Sequence, residues 1–202
     1  MGILERKEKE KIDLRKRILD AARELFLEKG YEHTSIRNIA ERIEYSPTTI
    51  YLYFKDKDSI FLELHNEGFN ILGNRMSVLA SVEDPMERLK AMGRIYIQFA
   101  KENPDFYDLM FVQNAPMDCL EHEHWEAGEG AFGFLKSTVK QCIEHGYLPF
   151  HDAEIGAFVV WSTMHGMCTL DFRERCQVLS DHAQTNTLEK GLDEFIRLMT
   201  TK

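Results

Sequence analysis

The sequence predicts an all-α protein: an N-terminal three-helix unit with a helix-turn-helix, then an α-helical effector-binding and dimerisation domain, about nine helices in total. Three observations carry this. Apolar residues recur at three- and four-residue spacing along most of the 202 residues, and no alternating strand pattern or internal repeat interrupts them. Ser46-Pro47, Asp84-Pro85 and Asn103-Pro104 each pair a capping side chain with a proline suited to the first helical position. Gly30 and Gly146 fall where periodic segments stop, as glycine C-termini.

The elements follow in order. A helix from Arg15 to Lys29 carries Ile18, Leu19, Ala22, Leu25 and Phe26 as its apolar stripe. A short helix follows with Ile36, Ile39, Ala40 and Ile43 on one face and Arg37, Asn38, Glu41 and Arg42 on the other; Thr34 or Ser35 can cap it. After a break at Glu44-Tyr45, Ser46 caps a second short helix with Pro47 at its first position. There Ile50 and Phe54 point inward, Thr48, Thr49, Leu52 and Tyr53 face outward, and Tyr51 lies toward the edge. Long helices are expected from residue 56 or 57 to about 79, from Asp84 through Ala100, from about His124 to His145 and from Asp152 to Phe172. A short helix runs from Pro104 to Met110, and the last from Leu188 to Met199. The polar stretch from Arg173 to Thr187 reads as a loop.

Residues 34–57 point to a duplex. A recognition helix needs small polar groups near its N-terminus to reach base edges, with cations and hydroxyls beside it for phosphates. Thr48, Thr49 and Tyr53 suit the bases; Thr34, Tyr51, Lys55 and Lys57 suit phosphates; Ser35, Arg37, Ser46, Pro47 and Leu52 complete the expected contact set. The net charge of −9 argues the other way, but it is unevenly spread. Residues 1–60 hold 13 Lys/Arg against 12 Asp/Glu, and the rest 12 against 22. Attraction to DNA must therefore come from a local patch of Lys16, Arg17, Arg37, Lys55, Lys57 and the basic N-terminal arm, with the acidic remainder turned away.

These residues resemble the TetR family of bacterial transcriptional regulators over roughly residues 11–62. The resemblance rests on Gly30, Thr34, Ile39-Ala40, the run Thr49-Ile50-Tyr51-Leu52-Tyr53-Phe54, and Lys55. Two positions depart from the pattern. Glu44 stands where the turn commonly has glycine, and Leu52 stands where histidine is common. Near the C-terminus, Trp161, His165 and Gly166, with Pro149 and Asp152 before them, resemble the Trp…His-Gly signature of one TetR C-terminal domain type. The resemblance implies residues 1–56 as the DNA-binding domain and residues 57–202 as the effector-binding and dimerisation domain.

The later helices add two expectations of their own. Leu188, Leu192, Phe195, Ile196 and Met199 form one stripe, and the preceding helix is apolar nearly all round, with Phe158 and Ser162 on it. Two copies of this pair would bury both in a homodimer, the symmetry a palindromic operator requires. Tyr96, Phe99, Phe106, Met110, Phe111, Trp125, Phe132, Trp161, Met164 and His165 can line an apolar effector cavity; His165 fits either the cavity or the dimer seam.

No apolar run approaches the ~20 residues that cross a bilayer, and the charged N-terminus is no signal peptide, so a cytoplasmic protein without membrane contact is expected. The four cysteines have no CxxC spacing and read as reduced thiols. Cys119, Glu121, His122, Glu123 and His124 suit zinc chemically, but a solvated loop without metal is the expected reading. No cofactor is expected. No GxGxxG, P-loop, GxSxG or HExxH site is expected, so an all-helical enzyme is disfavoured; a DNA binder without an effector is the alternative to an effector-released repressor.

Overall fold

A computed structural model describes residues 2–113 and 126–200. It holds ten α-helices and two short 3-10 turns among the described residues, and no strand. The helices are α1 (Ile3–Lys29), α2 (Ile36–Arg42), α3 (Pro47–Tyr51), α4 (Lys57–Ser77), α5 (Pro85–Glu102), α6 (Pro104–Phe111), α7 (Glu126–Glu144), α8 (Ala153–Phe172), α9 (Asp181–Gln184) and α10 (Thr187–Thr200). The all-α class stands. None of the described helices is long and apolar enough to cross a membrane.

The chain forms two compact units: residues 1–68 with 105–125, and residues 69–104 with 126–202. In the first, Ile18, Leu25, Phe26, Ile39, Ile50, Ile60 and Leu64 are almost wholly withdrawn from solvent and make the core of α1, α2, α3 and the start of α4. Helix α6 belongs to this unit. Gly68 of α4 lets it approach: a Cβ there would sit 2.5 Å from the Met110 sulfur and 3.3 Å from the Phe106 ring. Gln113 then donates to Phe26 O and to Asp108 Oδ2, both at 2.9 Å, clipping the end of α6 to α1.

The second unit is a bundle of α5, α7, α8 and α10. Asp84 caps α5 by accepting from the Met86 and Glu87 amides, and Asp152 caps α8 through Glu154 and Ile155. Leu89, Met92, Gly93, Tyr96, Phe99 and Ala100, the expected apolar face of α5, are all buried. Gly93 gives α10 its seat, since a Cβ there would lie 2.8 Å from Leu192 Cδ1. Arg88 is buried and donates to Val82 O at 3.0 Å and to Gln141 Oε1 at 3.1 Å, which ties the loop before α5 to α7.

Three boundaries differ from expectation. Helix α1 begins at Ile3, twelve residues early, because Glu, Arg, Lys and Leu are strong helix formers and Arg6–Glu10 pairs one turn apart at 2.9 Å. Helix α4 stops at Ser77 and tightens into a 3-10 turn over Val78–Ser81. The stretch 173–187 contains a 3-10 turn (Arg175–Val178) and α9, with no residue of either buried.

Candidate nucleic-acid interface

The reader is built from two caps and one tight turn. Ser35 Oγ accepts from the Asn38 amide at 3.2 Å while Asn38 Oδ1 accepts from the Ser35 amide at 3.1 Å, a reciprocal box that starts α2. Helix α2 ends with the Tyr45 amide on Ala40 O at 2.9 Å and the Glu44 amide on Glu41 O at 3.2 Å. That pairing needs a left-handed residue between, and Glu44 supplies it at φ 62°. The turn therefore keeps the geometry of a glycine turn with a glutamate in it, at a backbone cost of about 1 kcal/mol. Ser46 Oγ then accepts from the Thr49 amide at 3.2 Å, and Pro47 opens α3.

Arg17 of α1 fixes this turn from behind. Its guanidinium donates to Ile43 O at 3.2 Å and lies 5.3 Å from the Tyr45 ring centroid. Arg15 covers the other end of α3, stacked on Phe54 at 4.7 Å and paired with Glu63. No sequence pattern marks these roles, because each contact joins residues far apart in the chain.

Ile50 and Phe54 face inward as expected, at 0% and 4% exposure. The most exposed large apolar side chain of the reader is Leu52, at 78%, with Thr48 one turn before it on the same face. Tyr51 is also outward, whereas Thr49 and Tyr53 are half-buried at the edges, which exchanges the expected places of Tyr51 and Tyr53. Ser35, Arg37, Ser46, Pro47 and Lys55 are exposed around them.

Two expected phosphate holders are engaged within the fold: Thr34, which is buried, and Lys57, which is half-buried. Thr34 is buried, and its hydroxyl donates to Leu25 O at 3.1 Å and Gly30 O at 2.9 Å, closing the end of α1. The cause is that free carbonyls at a helix end compete for any nearby donor. Lys57 donates to Tyr31 O at 2.7 Å, its ammonium 3.9 Å from the Tyr31 ring centroid. The Tyr31 hydroxyl in turn donates to Asp58, so this loop is pinned to the start of α4. Besides the N-terminal arm, the outward cations of the patch are Lys16, Arg17, Arg37 and Lys55, with Arg17 tied to Ile43 O and Arg37 held 3.0 Å from Glu41.

The expected cavity residues are divided between the units. Phe106 and Met110 are buried and Phe111 half-buried in the first; Arg23 covers the Phe106 ring at 5.1 Å. Tyr96, Phe99 and Met164 are buried in the second, and Phe132, Trp161 and His165 are half-buried there. The Trp161 ring lies 6.3 Å from both Phe132 and His165, and His165 Nε2 lies 3.4 Å from Thr169 Oγ1. Burial lowers the His165 imidazole below its usual range. Trp125 and the Cys119–His124 group lie outside the described residues. Elsewhere no three His, Cys, Asp or Glu side chains gather as metal ligands among the described residues.

Of the expected dimer residues, Leu188, Leu192, Ile196 and Met199 are buried within the chain's own second unit. The stripe they form faces α5 and α8, because a monomer core and a dimer core ask for the same periodicity. Phe195 is half-buried. Phe158 and Ser162 are exposed on α8, beside Ile155, Val159 and Leu170.

Two other groups are inert. Burial raises the Cys142 thiol to about 11 and the Cys168 thiol to about 12, so neither is a ready nucleophile. Against the expectation of no GxGxxG, Gly128, Gly130 and Gly133 do have that spacing, but all three lie inside α7, where no strand-to-helix turn exists to cradle a phosphate.

Comparison with known proteins agrees with this construction. Residues 18–64 match the bacterial regulatory proteins of the tetR family, and residues 89–195 match the tetracyclin repressor-like C-terminal domain. The chain belongs to the TetR family of bacterial regulators. It is 33% identical over 84 residues to the fatty acid metabolism regulator protein of Bacillus subtilis, covering 42% of this chain and 41% of that one. The chain spans about half or less of the length of the first curated relatives it matches. Among solved structures, the fatty acid degradation regulator FadR from Bacillus halodurans superimposes with a TM-score of 0.71 at 20% identity, covering 92% of this chain and 94% of that one. FadR from Bacillus subtilis in complex with stearoyl-CoA gives 0.71 at 18%, covering 92% and 97%. At these identities the likeness is one of fold.

Proposed function

We propose that this chain is a DNA-binding transcriptional repressor, released from its operator by a small-molecule effector held in its C-terminal domain. Residues 1–56 read DNA, and residues 57–202 carry effector binding and dimerisation. The observation that carries the reading is the outward face of α3. Thr48, Tyr51 and Leu52 stand clear of solvent-excluded Ile50 and Phe54, on a helix whose start is capped and whose preceding turn is locked by Arg17. A plain three-helix core has no need of such a face.

The dimer is a second copy of the chain laid on the exposed apolar side of α8. Two readers then address half-sites about 34 Å apart or a multiple of that. The effector acts only through a difference in affinity between DNA-competent and DNA-incompetent states, and moving occupancy from ~99% to ~1% takes ~5.5 kcal/mol of preference. A fatty acyl-CoA is the first class to try, because FadR of Bacillus subtilis was solved with stearoyl-CoA. Phe132, Trp161, Met164 and His165 are the residues proposed to meet its apolar part.

The test is selection of bound duplexes from a random DNA pool, repeated with saturated acyl-CoAs of increasing chain length. Enrichment of a two-fold sequence that is lost on adding one of them is the expected result. A pool that stays random at low salt would overturn the DNA-binding reading. An enriched sequence indifferent to every ligand would leave a DNA binder without an effector.

A further inference from the structure

Helix α1 outruns the core it serves. From Ile18 onward its inward face is apolar: Ile18, Ala21, Ala22 and Leu25 are all buried. Continuing that same three- and four-residue stripe toward the N-terminus gives Leu14, Lys11 and Lys7. Leu14 is half-buried; Lys11 and Lys7 are exposed, as is every described side chain from residue 5 to residue 13. The core stripe thus changes from apolar to cationic where the helix leaves the core.

The place where it leaves is the reader. Arg15 sits on Phe54 just after α3, and Arg17 sits on Tyr45 just before it. Residues 15–17 therefore bracket α3. At 1.5 Å per residue the overhang from Leu14 to Ile3 extends about 16 Å beyond that level, with Lys11 and Lys7 one turn apart, about 6 Å, on the side from which α2 and α3 pack. The acids nearby are engaged or lie off this line. Glu10 pairs with Arg6 at 2.9 Å, Glu5 accepts from the Gly2 amide at 2.8 Å, and Glu8 and Asp13 project from other faces of the helix. Lys9 points away from the stripe.

From this register we propose that the α1 overhang is a second DNA contact, a phosphate-backbone clamp in which Lys7 and Lys11 grip the strand flanking the groove that α3 enters. The inference rests on the DNA-binding reading above. The clamp carries no sequence information, since ammonium groups on phosphates do not distinguish bases. It also supplies positive charge that the reader needs: Arg17 and Lys57 are tied to carbonyl oxygens, and the molecule as a whole is acidic.

Three single variants of the full chain, Lys7→Ala, Lys11→Ala and Lys9→Ala, change the charge equally and differ only in face. Each is measured by fluorescence anisotropy on the duplex selected by the intact protein and on a random duplex, across a series of salt concentrations. Lys7→Ala and Lys11→Ala are expected each to reduce the slope of log affinity against log salt by about 1 per bound chain, weakening both duplexes by the same factor. Lys9→Ala is expected to keep the intact slope. Alanine favours helix, so folding is preserved, and a far-ultraviolet spectrum checks it. Equal slopes in all three variants would overturn the clamp while leaving the DNA-binding reading intact. An intact chain that binds no duplex would overturn that reading, and the clamp with it.

Discussion

The reader at residues 34–54 and helix α8 are opposite kinds of surface. Around α3 the exposed side chains are hydroxyls, aromatic rings with a polar tip, Pro47, the Lys55 ammonium and the Glu44 carboxylate, with Leu52 as the one large aliphatic among them. Along α8 they are Ile155, Phe158, Val159, Leu170 and Phe172, broken by Ser162 and, at the first turn, by Glu154. The first surface suits a hydrated, charged partner such as a duplex; the second suits only another apolar surface. The two kinds of surface stand on separate units, but net charge does not separate them: residues 1–68 with 105–125 hold 13 Lys/Arg against 19 Asp/Glu and the other unit 12 against 15, so the acidity is not confined to the unit away from the reader.

The comparison is sharpest between two apolar positions of the second unit. Leu192→Ala empties a buried site against Gly93 and should cost 2–5 kcal/mol, read as a lower denaturant midpoint. Phe158→Glu changes a side chain 53% exposed and should leave the unfolding midpoint of the isolated chain nearly unchanged, while shifting sedimentation from dimer to monomer. If Leu192→Ala were mild and broke the dimer instead, the two faces would have been assigned the wrong way round.

The next largest effect is the response of the first unit to acid. His65 is buried in α4, and burial lowers its imidazole to about 4 against an opposing backbone hydrogen bond at Met110. Between its unfolded value near 6.5 and that folded value, the unfolded chain binds the extra proton. Stability is therefore complete above about pH 6.5, is lost as pH falls, and the loss levels off near pH 4, reaching on the order of 3 kcal/mol. His65→Gln should flatten this slope in chemical denaturation at pH 7, 5.5 and 4.5; an unchanged slope would place the titrating group elsewhere.

The smallest expected effect lies in the turn. Glu44→Gly relieves a left-handed glutamate and should stabilise by roughly 0.5–1 kcal/mol, the gain being trimmed by the greater freedom of glycine in the unfolded chain. Destabilisation on that change would mean that the Glu44 side chain contributes more than its backbone costs.

How much of this was legible depended on the range of the interactions. Ser46 and Asp84 are caps that act within three residues, and the sequence placed both; Asp152 caps α8 in the same way, where the sequence marked only the start of a helix. The inward positions Ile50 and Phe54 followed from periodicity alone. Thr34 was misread because its hydroxyl had two destinations, and only the fold shows that the end of α1 lies close enough to take it. The stripe of α10 was legible as a stripe, but nothing local says whether α5 or a second chain covers it. The first turns of α1 have no apolar stripe at all, so a pattern search stops at the point where the core stops, although the helix does not.

The central claim is that α3 reads sequence through its outward face. The direct measurement is the ratio of affinities for the selected duplex and a random duplex, for the intact chain and for Thr48→Ala combined with Leu52→Ala. This ratio is expected to fall close to 1 while affinity for the random duplex and the unfolding midpoint stay as they were. A ratio that survives both substitutions would contradict it.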